Sequence, residues 1–334
     1  MEDLERYKHL NKYLKEKFGE RTLKICIDGG FTCPNRDGTK GYGGCIFCSE
    51  NGSGEHIKFM KCSNGQNFCH NTALTNSASS IADNNTFNSI SAQVKNHFKS
   101  YKAERANKFI AYFQNFTNTY DTLENLKRKY DAALIDNRIV GLSVTTRPDC
   151  IDENIAELLK SYADKYYVSV ELGLQTANEK TGKIINRCYT NADFTKAVDI
   201  LNKYNVDVVT HVMVGLPNEN EKDIQNTVKF LNKHNTQGIK IHSCYIVKNT
   251  KLAEMYDEGK YTPLKLDDYL NSCAYILTHI NPDVVIHRVS GDAPKDLLVA
   301  PDWNLHKKWI INGLDKLLRE MDLWQGMEYE ETAT

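Results

Sequence analysis

A chain of 334 residues is long enough for one large α/β domain, and its length does not require two domains. Its 42 lysines and arginines balance 43 aspartates and glutamates, which excludes an overall field that would attract nucleic acid or an anionic membrane. The ten cysteines, without a charged-then-apolar leader or an apolar run of about 18 residues, predict a cytoplasmic, reduced protein with no membrane partner.

Six apolar runs rich in β-branched residues predict strands, and stretches of helical period lie between them. The predicted strands cover 23–30, 108–115, 139–148, 166–176, 206–217 and 238–246. Apolar residues at i, i+3, i+4 and i+7 predict helices around 155–162 and 194–201. Asp121, Asp152 and Asn191 are expected to begin helices. Six βα units with nearly continuous apolar strands indicate a parallel sheet covered by helices.

The repeat ends near residue 246, whereas a closed barrel needs eight units, so the sequence predicts an α/β fold of the partial (β/α)6 barrel type. We expect an N-terminal helix over 1–21, the barrel over 22–246 and a C-terminal extension over 247–334 that closes it. In the extension, 282–292 is a candidate strand and 303–321 is a predicted terminal helix. A segment at about 55–88, rich in Asn and Ser, is expected to be a mobile insertion.

Polar segments follow each predicted strand, at the end where parallel α/β folds carry their chemistry. The first such segment is a glycine-rich loop with Cys33, Cys45 and Cys48 in a C-x11-C-x2-C pattern. Structural zinc closes its shell with four ligands, whereas three thiolates on a [4Fe-4S] cluster leave one iron open. The odd number therefore favours a cluster.

Two alternatives for these cysteines stay open. The first is a zinc site that takes a fourth ligand from Cys62, Cys69 or His70. The second is three unligated thiols. The remaining cysteines lie in strand or helix patterns and are predicted to be small core residues, with Cys150 and Cys244 near the active rim; they are Cys26, Cys150, Cys188, Cys244 and Cys273.

Several separate blocks, spread over about residues 6–326, carry a family resemblance. They include "GGFTCPNRDGTKGYGGCIFCS", "IAYFQNFTNTYDTLENL", "GLSVTTRPDC", "ELGLQT", "GLPNENEKD" and "HRVSGDAPKDLL". With these blocks the chain resembles the YhcC/YtqA group of radical S-adenosylmethionine (SAM) proteins, which is related to the catalytic subunit of Elongator. The cysteine spacing departs from the commonest radical SAM pattern, C-x3-C-x2-C, and the YhcC/YtqA group shares this departure.

The resemblance implies that Cys33, Cys45 and Cys48 hold a [4Fe-4S] cluster whose fourth iron is chelated by SAM. One electron, from a donor such as flavodoxin or ferredoxin, then splits SAM into methionine and a 5′-deoxyadenosyl radical that abstracts hydrogen from a substrate. Residues at the positions of the family's SAM site are implied to bind SAM: Gln114, Asn115, Arg147, Glu171, Gln175, Val214 and Gly215.

These seven residues are given individual roles by analogy. Gln114 and Asn115 would receive the amino group, although a plain strand-ending turn also explains them. Arg147 would grip the SAM carboxylate, and its alternative is a surface ion pair with Asp149. Glu171 and Gln175 would bind the ribose, while the backbone of 214–215 would meet the adenine.

Six further residues are possible substrate-facing groups, with a satisfied core position as the alternative for each: His211, Lys240, His242, Cys244, His287 and Arg288. Kinship to Elongator suggests that the substrate is tRNA, modified at a wobble uridine. The alternatives are a radical SAM oxidoreductase for a small molecule and a zinc-stabilised RNA-binding module. A nucleotide-dependent enzyme without a cluster has little support, because the chain lacks the glycine-rich nucleotide motifs.

Overall fold

The structure is a computed structural model that describes residues 5–50, 52, 79–101 and 103–331, with only the backbone described over 79–88. The hypothetical zinc ligands Cys62, Cys69 and His70 lie outside the described residues. Within the described part, seven parallel strands form one open sheet in the order β1-β2-β3-β4-β5-β6-β8, and β7 pairs with β9 separately. The strands are β1 (Thr22–Ile27), β2 (Lys108–Phe113), β3 (Ile139–Thr146), β4 (Tyr167–Gln175), β5 (Asp207–Val214), β6 (Gly238–Ser243), β7 (Ile246–Val247), β8 (Val285–Arg288) and β9 (Leu298–Ala300).

Helices connect the strands and cover the outer face of the sheet. They are α1 (Leu10–Phe18), α2 (Ser79–Phe98), α3 (Leu123–Ala133), α4 (Glu153–Ala163), α5 (Glu179–Ile184), α6 (Asn191–Lys203), α7 (Glu221–Asn232), α8 (Lys251–Asp257), α9 (Leu266–His279) and α10 (Lys307–Glu320). The predicted partial barrel is confirmed, and the candidate strand in the extension is β8, the seventh strand of the sheet. Helix α2 begins at Ser79, inside the predicted insertion, so the end of that segment is helical.

Two of the predicted helix starts are wrong by one residue. Thr122 and Thr190 are the N-caps, in place of Asp121 and Asn191, because a threonine hydroxyl one position away accepts the free backbone N–H. Thr190 forms a full capping box, since the Asp193 carboxylate also accepts a hydrogen bond from the Thr190 N–H at 2.7 Å. The prediction for Asp152 is confirmed, because its carboxylate accepts from Ile155 N–H at 2.8 Å.

The hydrophobic core lies between the sheet and its helices. Alternate strand residues such as Phe109, Leu142 and Val170 are fully buried there with Leu159 and Phe194 from the helices. The opposite, inner face of the strands carries mostly polar side chains. This differs from the predicted continuous apolar strands, and it leaves the barrel with a polar lumen instead of the apolar filling of a closed barrel.

Both ends of the chain cover the open side of the barrel. Helix α1 contacts the two edge strands, β1 and β8, and Ile286 N–H donates to the Lys8 carbonyl at 2.8 Å. Gln325 then links the ends, because its N–H donates to the Arg6 carbonyl at 2.8 Å and its Oε1 accepts from Lys8 N–H at 2.9 Å. The gap between the edge strands is therefore closed by residues from opposite ends of the sequence.

Among the described helices, none combines the length and apolarity that a bilayer crossing needs.

Candidate active site

The three predicted cluster cysteines lie on the loop after β1, and two side chains hold the shape of that loop. Arg36 donates to the Cys48 carbonyl at 3.1 Å and to the Glu50 carbonyl at 3.2 Å, while Asn186 Nδ2 donates to the Gly44 carbonyl at 2.8 Å. Gly44 has φ of 77°, and a Cβ there would lie 2.9 Å from Arg36 Nε. Glycine is needed at this position for both backbone conformation and space.

The thiols of the loop lie within electrostatic reach of one another. Burial raises the pKa of the Cys45 thiol to about 12, the nearby Cys48 and Cys33 thiols add to this, and Arg147 opposes it. The Cys45 sulfur also accepts a weak hydrogen bond from Asn35 Nδ2 at 3.8 Å. Three sulfurs with an amide donor fit a [4Fe-4S] cluster, whose potential depends on such hydrogen bonds.

A single-ion site has a different geometry. In the described part of the chain, no three His, Cys, Asp or Glu side chains converge on a point that one metal ion would occupy. A four-iron cluster binds each thiolate through its own iron, so its ligands do not need to converge in this way.

The loop after β2 carries buried polar groups that face no protein partner. Asn115 is fully buried, and neither its amide oxygen nor its amide nitrogen finds a partner among the described residues; the same holds for Thr117 Oγ1. Thr117 N–H donates to the Thr32 carbonyl at 3.1 Å, which joins this loop to the one with the cysteines. Leaving a buried polar group without a hydrogen bond costs about 1–3 kcal/mol, so this arrangement indicates a polar ligand at the junction of the two loops.

Arg147 is buried beside the cysteine loop and is held by protein groups. Its Nε and Nη2 donate to the two carboxylate oxygens of Asp149, each at 2.9 Å, and its Nη1 donates to the Arg187 carbonyl at 2.9 Å. Burial lowers the pKa of Arg147, but the hydrogen bonds and charge of Asp149 raise it overall. The ion pair considered from the sequence is present, although it is buried and not on the surface. A ligand carboxylate would have to displace Asp149 to form the same two-point contact.

The "ELGLQT" segment places Gln175 at the rim through an unusual backbone. Gln175 has φ of 61°, and its Oε1 lies 2.5 Å from the Tyr189 hydroxyl. Its amide folds back over Gly173, where a Cβ would lie 2.5 Å from Gln175 Nε2. The glycine in this segment thus makes room for the glutamine side chain.

The end of β5 has the turn predicted for the adenine contact. Gly215 has φ of 87°, and its carbonyl accepts from the Tyr261 hydroxyl at 2.7 Å. The Val214 carbonyl accepts from Cys244 N–H at 2.9 Å. Both carbonyls already have protein partners, so an adenine would meet the remaining edge of this turn.

Glu171 lies in the lumen at the centre of a hydrogen-bonded network. Its carboxylate is fully buried and lies 2.6 Å from Lys24 Nζ, 2.7 Å from the Tyr112 hydroxyl and 2.8 Å from His211 Nε2. Lys240 donates to the same carboxylate. Burial raises the pKa of Glu171, but Lys24 and Lys240 hold it well below its usual range. Ser143 and Thr145 of β3 also donate to it, so the carboxylate predicted to bind ribose is engaged by residues from five other strands.

Five of the six predicted substrate-facing side chains belong to the same lumen. Burial lowers the pKa of Lys240 to about 7, with Lys24 and Arg288 also lowering it and Glu171 opposing them. The rings of His211 and His242 are 5.0 Å apart, and burial lowers both of their pKa values. His287 packs over Gly238, where a Cβ would lie 2.7 Å from its Nε2. Arg288 Nη2 donates to Asp292 at 2.6 Å.

Cys244 differs from the other predicted substrate-facing residues. It is 4% exposed and packs in a smaller apolar cluster with Ile46 and Leu216. Burial raises the pKa of its thiol to about 12.

The core prediction holds for Cys244 and Cys273, whereas Cys26 and Cys188 are exposed and Cys150 is half-buried. Cys26 is aligned with Tyr112 in the sheet, so it faces the lumen and not the helices.

Several residues of the site were not identified from the sequence, including Lys24, Cys26, Tyr112 and Arg187. The fully buried Arg187 Nη1 donates to the carbonyls of Leu174 and Thr176, each at 2.7 Å, and so fixes the end of β4. A signal for the lumen was present, because Ser143 and Glu171 alternate with apolar residues in their strands. Arg187 sits in a loop without a pattern, so no comparable signal marks it.

Comparisons with known proteins cover most of the chain. Residues 40–231 match the radical SAM superfamily and residues 236–320 match the radical SAM C-terminal domain. The chain is 35% identical to protein YtqA of Bacillus subtilis, over 97% of this chain and 93% of that protein. It is 32% identical to protein YhcC of Escherichia coli strain K12, over 92% of this chain and 90% of that protein.

More distant proteins share part of the chain. A Methanocaldococcus jannaschii protein named tRNA uridine(34) acetyltransferase is 27% identical over 49% of this chain and 30% of its own length. The structure of archaeal Methanocaldococcus infernus Elp3 superposes with a TM-score of 0.60 at 19% identity, covering 72% of this chain and 62% of that one. At this identity, the superposition shows a common fold.

Proposed function

Since the chain belongs to the radical SAM superfamily, as a relative of YtqA and YhcC, we propose that Cys33, Cys45 and Cys48 hold a [4Fe-4S] cluster and that the adjoining loops bind SAM. When bound, the cluster supplies the electron that cleaves SAM into methionine and a 5′-deoxyadenosyl radical, which abstracts hydrogen from the substrate. The observation that carries the proposal is the junction of the cysteine loop with the Asn115 loop, where buried polar groups have no hydrogen-bond partner among the residues that the structure describes.

The protein's own residues have three tasks in this scheme. Asn35 donates to the Cys45 sulfur, and Arg36 holds the loop carbonyls, so the sulfurs stay in place. Asn115 and Thr117 offer donors and acceptors for the polar part of SAM. Gln175, held against Tyr189, and the turn at Gly215 form the opposite rim, where the ribose and adenine would lie.

We assign tRNA, modified at a wobble uridine, as the substrate. The support is the similarity to the tRNA uridine(34) acetyltransferase of M. jannaschii and to Elongator complex protein 3 of several eukaryotes. The similarity covers about 30% of those proteins, so acetyl transfer is not carried over to this chain. Helix α10 carries Lys307, Lys308, Lys316 and Arg319, but Lys307, Lys316 and Arg319 pair with Asp292, Glu320 and Asp315, so this helix adds little support for RNA binding.

The cluster is tested by anaerobic reconstitution with iron and sulfide. We expect about four irons and four sulfides per chain, and 5′-deoxyadenosine when dithionite and SAM are added. A variant with Cys33, Cys45 and Cys48 all changed to Ala should lose both, whereas the exposed control Cys188→Ala should keep them. Wild-type protein that takes up no iron, or a triple variant that keeps its cluster, would refute the proposal. One colourless metal in place of iron would favour the zinc alternative.

The substrate is tested separately, by mass spectrometry of tRNA nucleosides from cells with and without the gene. We expect one modified uridine to disappear and its precursor to accumulate in the deletion strain. A complementing gene with the three Cys→Ala changes should fail to restore it, while Cys188→Ala should succeed. Identical nucleosides in both strains would refute the tRNA assignment and leave a small-molecule substrate.

A further inference from the structure

We propose that the lumen of the barrel binds an anionic oxygen group of the substrate, a carboxylate or a phosphate, between Lys240, Lys24 and Arg288. The inference rests on the proposed function for calling this anion part of the substrate. The binding site itself is argued from the lumen residues alone, and it lies below the rim to which we assign SAM.

The first support is the convergence of cations from distant strands. Lys24 in β1 and Lys240 in β6 both contact the Glu171 carboxylate in β4, so the sheet curves until its first and sixth strands face each other across the lumen. Arg288 is aligned with Lys240 in the neighbouring strand β8. Tyr112 adds a hydroxyl 3.0 Å from Lys240 Nζ. These groups come from elements of the rigid sheet, which suits a preorganised site.

The second support is the charge balance of the lumen. Two lysines share the one Glu171 carboxylate, and Asp292, the partner of Arg288, also lies 3.3 Å from Lys307. Charges shielded from water are stable when paired, so Lys24 and Lys240, which share the single Glu171 carboxylate, are balanced only with one more anion. The Arg288–Asp292–Lys307 group is one-third to one-half exposed and is also screened by water. The low pKa of Lys240 has the same origin, because burial and the cations Lys24 and Arg288 disfavour its proton. An entering anion would reverse this effect.

The third support is that the lumen offers unused hydrogen-bonding atoms and an entrance. His242 Nε2 and His287 Nδ1 are buried and find no partner within the described ranges. The side chains of Lys24 and His211 are 17% and 16% exposed to solvent. Cys26, beside them, is exposed. A small anionic group can therefore reach the lysines from solvent.

Cys26 provides a reporter that needs neither iron, SAM nor RNA. Its thiol is alkylated by iodoacetate, which carries a carboxylate, and by iodoacetamide, which is neutral and of similar size. The ratio of the two rates, followed by peptide mass spectrometry at pH 7, reports the charge around Cys26, because the thiolate fraction cancels. We expect Lys240→Gln to lower this ratio roughly threefold, as expected for about half a charge at close range in a partly wet site. The control Lys251→Gln, an exposed lysine of α8, should leave it unchanged.

A second measurement uses unaltered protein. Acetate and inorganic phosphate, compared with chloride at equal ionic strength, should slow alkylation of Cys26 by iodoacetamide but not that of Cys188. Protection by acetate alone assigns a carboxylate, protection by phosphate alone assigns a phosphate, and protection by both supports a site for either group.

Two results would overturn the inference. One is anion protection no greater than that of chloride. The other is an unchanged alkylation ratio in folded Lys240→Gln protein, or in Lys24→Gln protein if the first variant does not fold. Because neither measurement involves turnover, loss of this inference would leave the proposed function intact. Loss of the proposed function would leave the anion site in place and remove only its assignment to the substrate.

Discussion

Replacing Lys240 by methionine is expected to remove a pH dependence from the stability of the fold. The pKa of Lys240 is lowered to about 7 in the folded protein, mainly by burial. In the unfolded chain it returns to roughly 10.4. Between these values the unfolded state binds more protons than the folded state, so the free energy of unfolding rises with pH. From pH 7 to pH 9, this one residue adds about 2 kcal/mol to the stability of the wild type.

The prediction is measured by urea unfolding of cluster-free protein, kept reduced, at pH 7 and pH 9. The quantity is the change in unfolding free energy between the two pH values, compared between wild type and Lys240→Met. The titratable groups that face Lys240 are present in both proteins and largely cancel: Lys24, Cys26, Tyr112, Glu171, His211, His242, His287 and Arg288. The variant should lack about 2 kcal/mol of the wild-type gain.

A matched control separates this effect from the loss of any lysine. Lys251→Met removes an exposed lysine that pairs with Glu254, and it should gain stability between pH 7 and pH 9 as the wild type does. Equal gains in wild type and Lys240→Met, within about 0.5 kcal/mol, would refute the argument that burial among cations disfavours the Lys240 proton.

Three further predictions concern the rim. Asn115→Leu should change the free energy of unfolding by less than about 1 kcal/mol, because its amide has no partner to lose in the described part of the chain, yet raise the Kd for SAM about tenfold by calorimetry; unchanged affinity would remove Asn115 from the SAM site. Gly173→Ala should lower the free energy of unfolding by about 1–3 kcal/mol, because the new Cβ would meet the Gln175 side chain. The loss should be smaller in a Gly173→Ala/Gln175→Ala double variant, and equal losses in urea unfolding would contradict this contact. Arg187→Met should lower the free energy of unfolding by about 3–5 kcal/mol, because it leaves the buried carbonyls of Leu174 and Thr176 without donors. A fall in melting temperature of less than about 2 °C would contradict the role of Arg187 in fixing the end of β4.

The sheet was predictable because each strand is a run rich in β-branched residues, and a segment with helical period lies on either side of it. Even β8, a strand of four residues after α9, was marked by its run of apolar residues at 284–286. The one-residue errors at Thr122 and Thr190 arose because Asp and Asn are equally good caps by composition. Only the backbone geometry decides which of two adjacent polar residues accepts the bond.

The site was predictable where its residues sit at strand ends and less so inside the barrel. Arg147 lies at the strand end where the sequence placed it, but the burial of its ion pair with Asp149 depends on a turn that spacing does not define, and its role toward SAM stays a prediction. Glu171 was identified, yet its partners Lys24 and Lys240 lie 147 and 69 residues away in sequence. Their meeting follows from the curvature of the whole sheet. No local pattern contains that information.

The closure of the barrel by residues distant in sequence has a consequence for the order of folding. Gln325 binds both Arg6 and Lys8, and Lys8 and Gln325 are 317 residues apart in sequence. A contact over so long a separation requires a large loop to close, and this entropy is offset only when the intervening strands are already packed. The lateral side of the barrel is therefore expected to close after the sheet has formed.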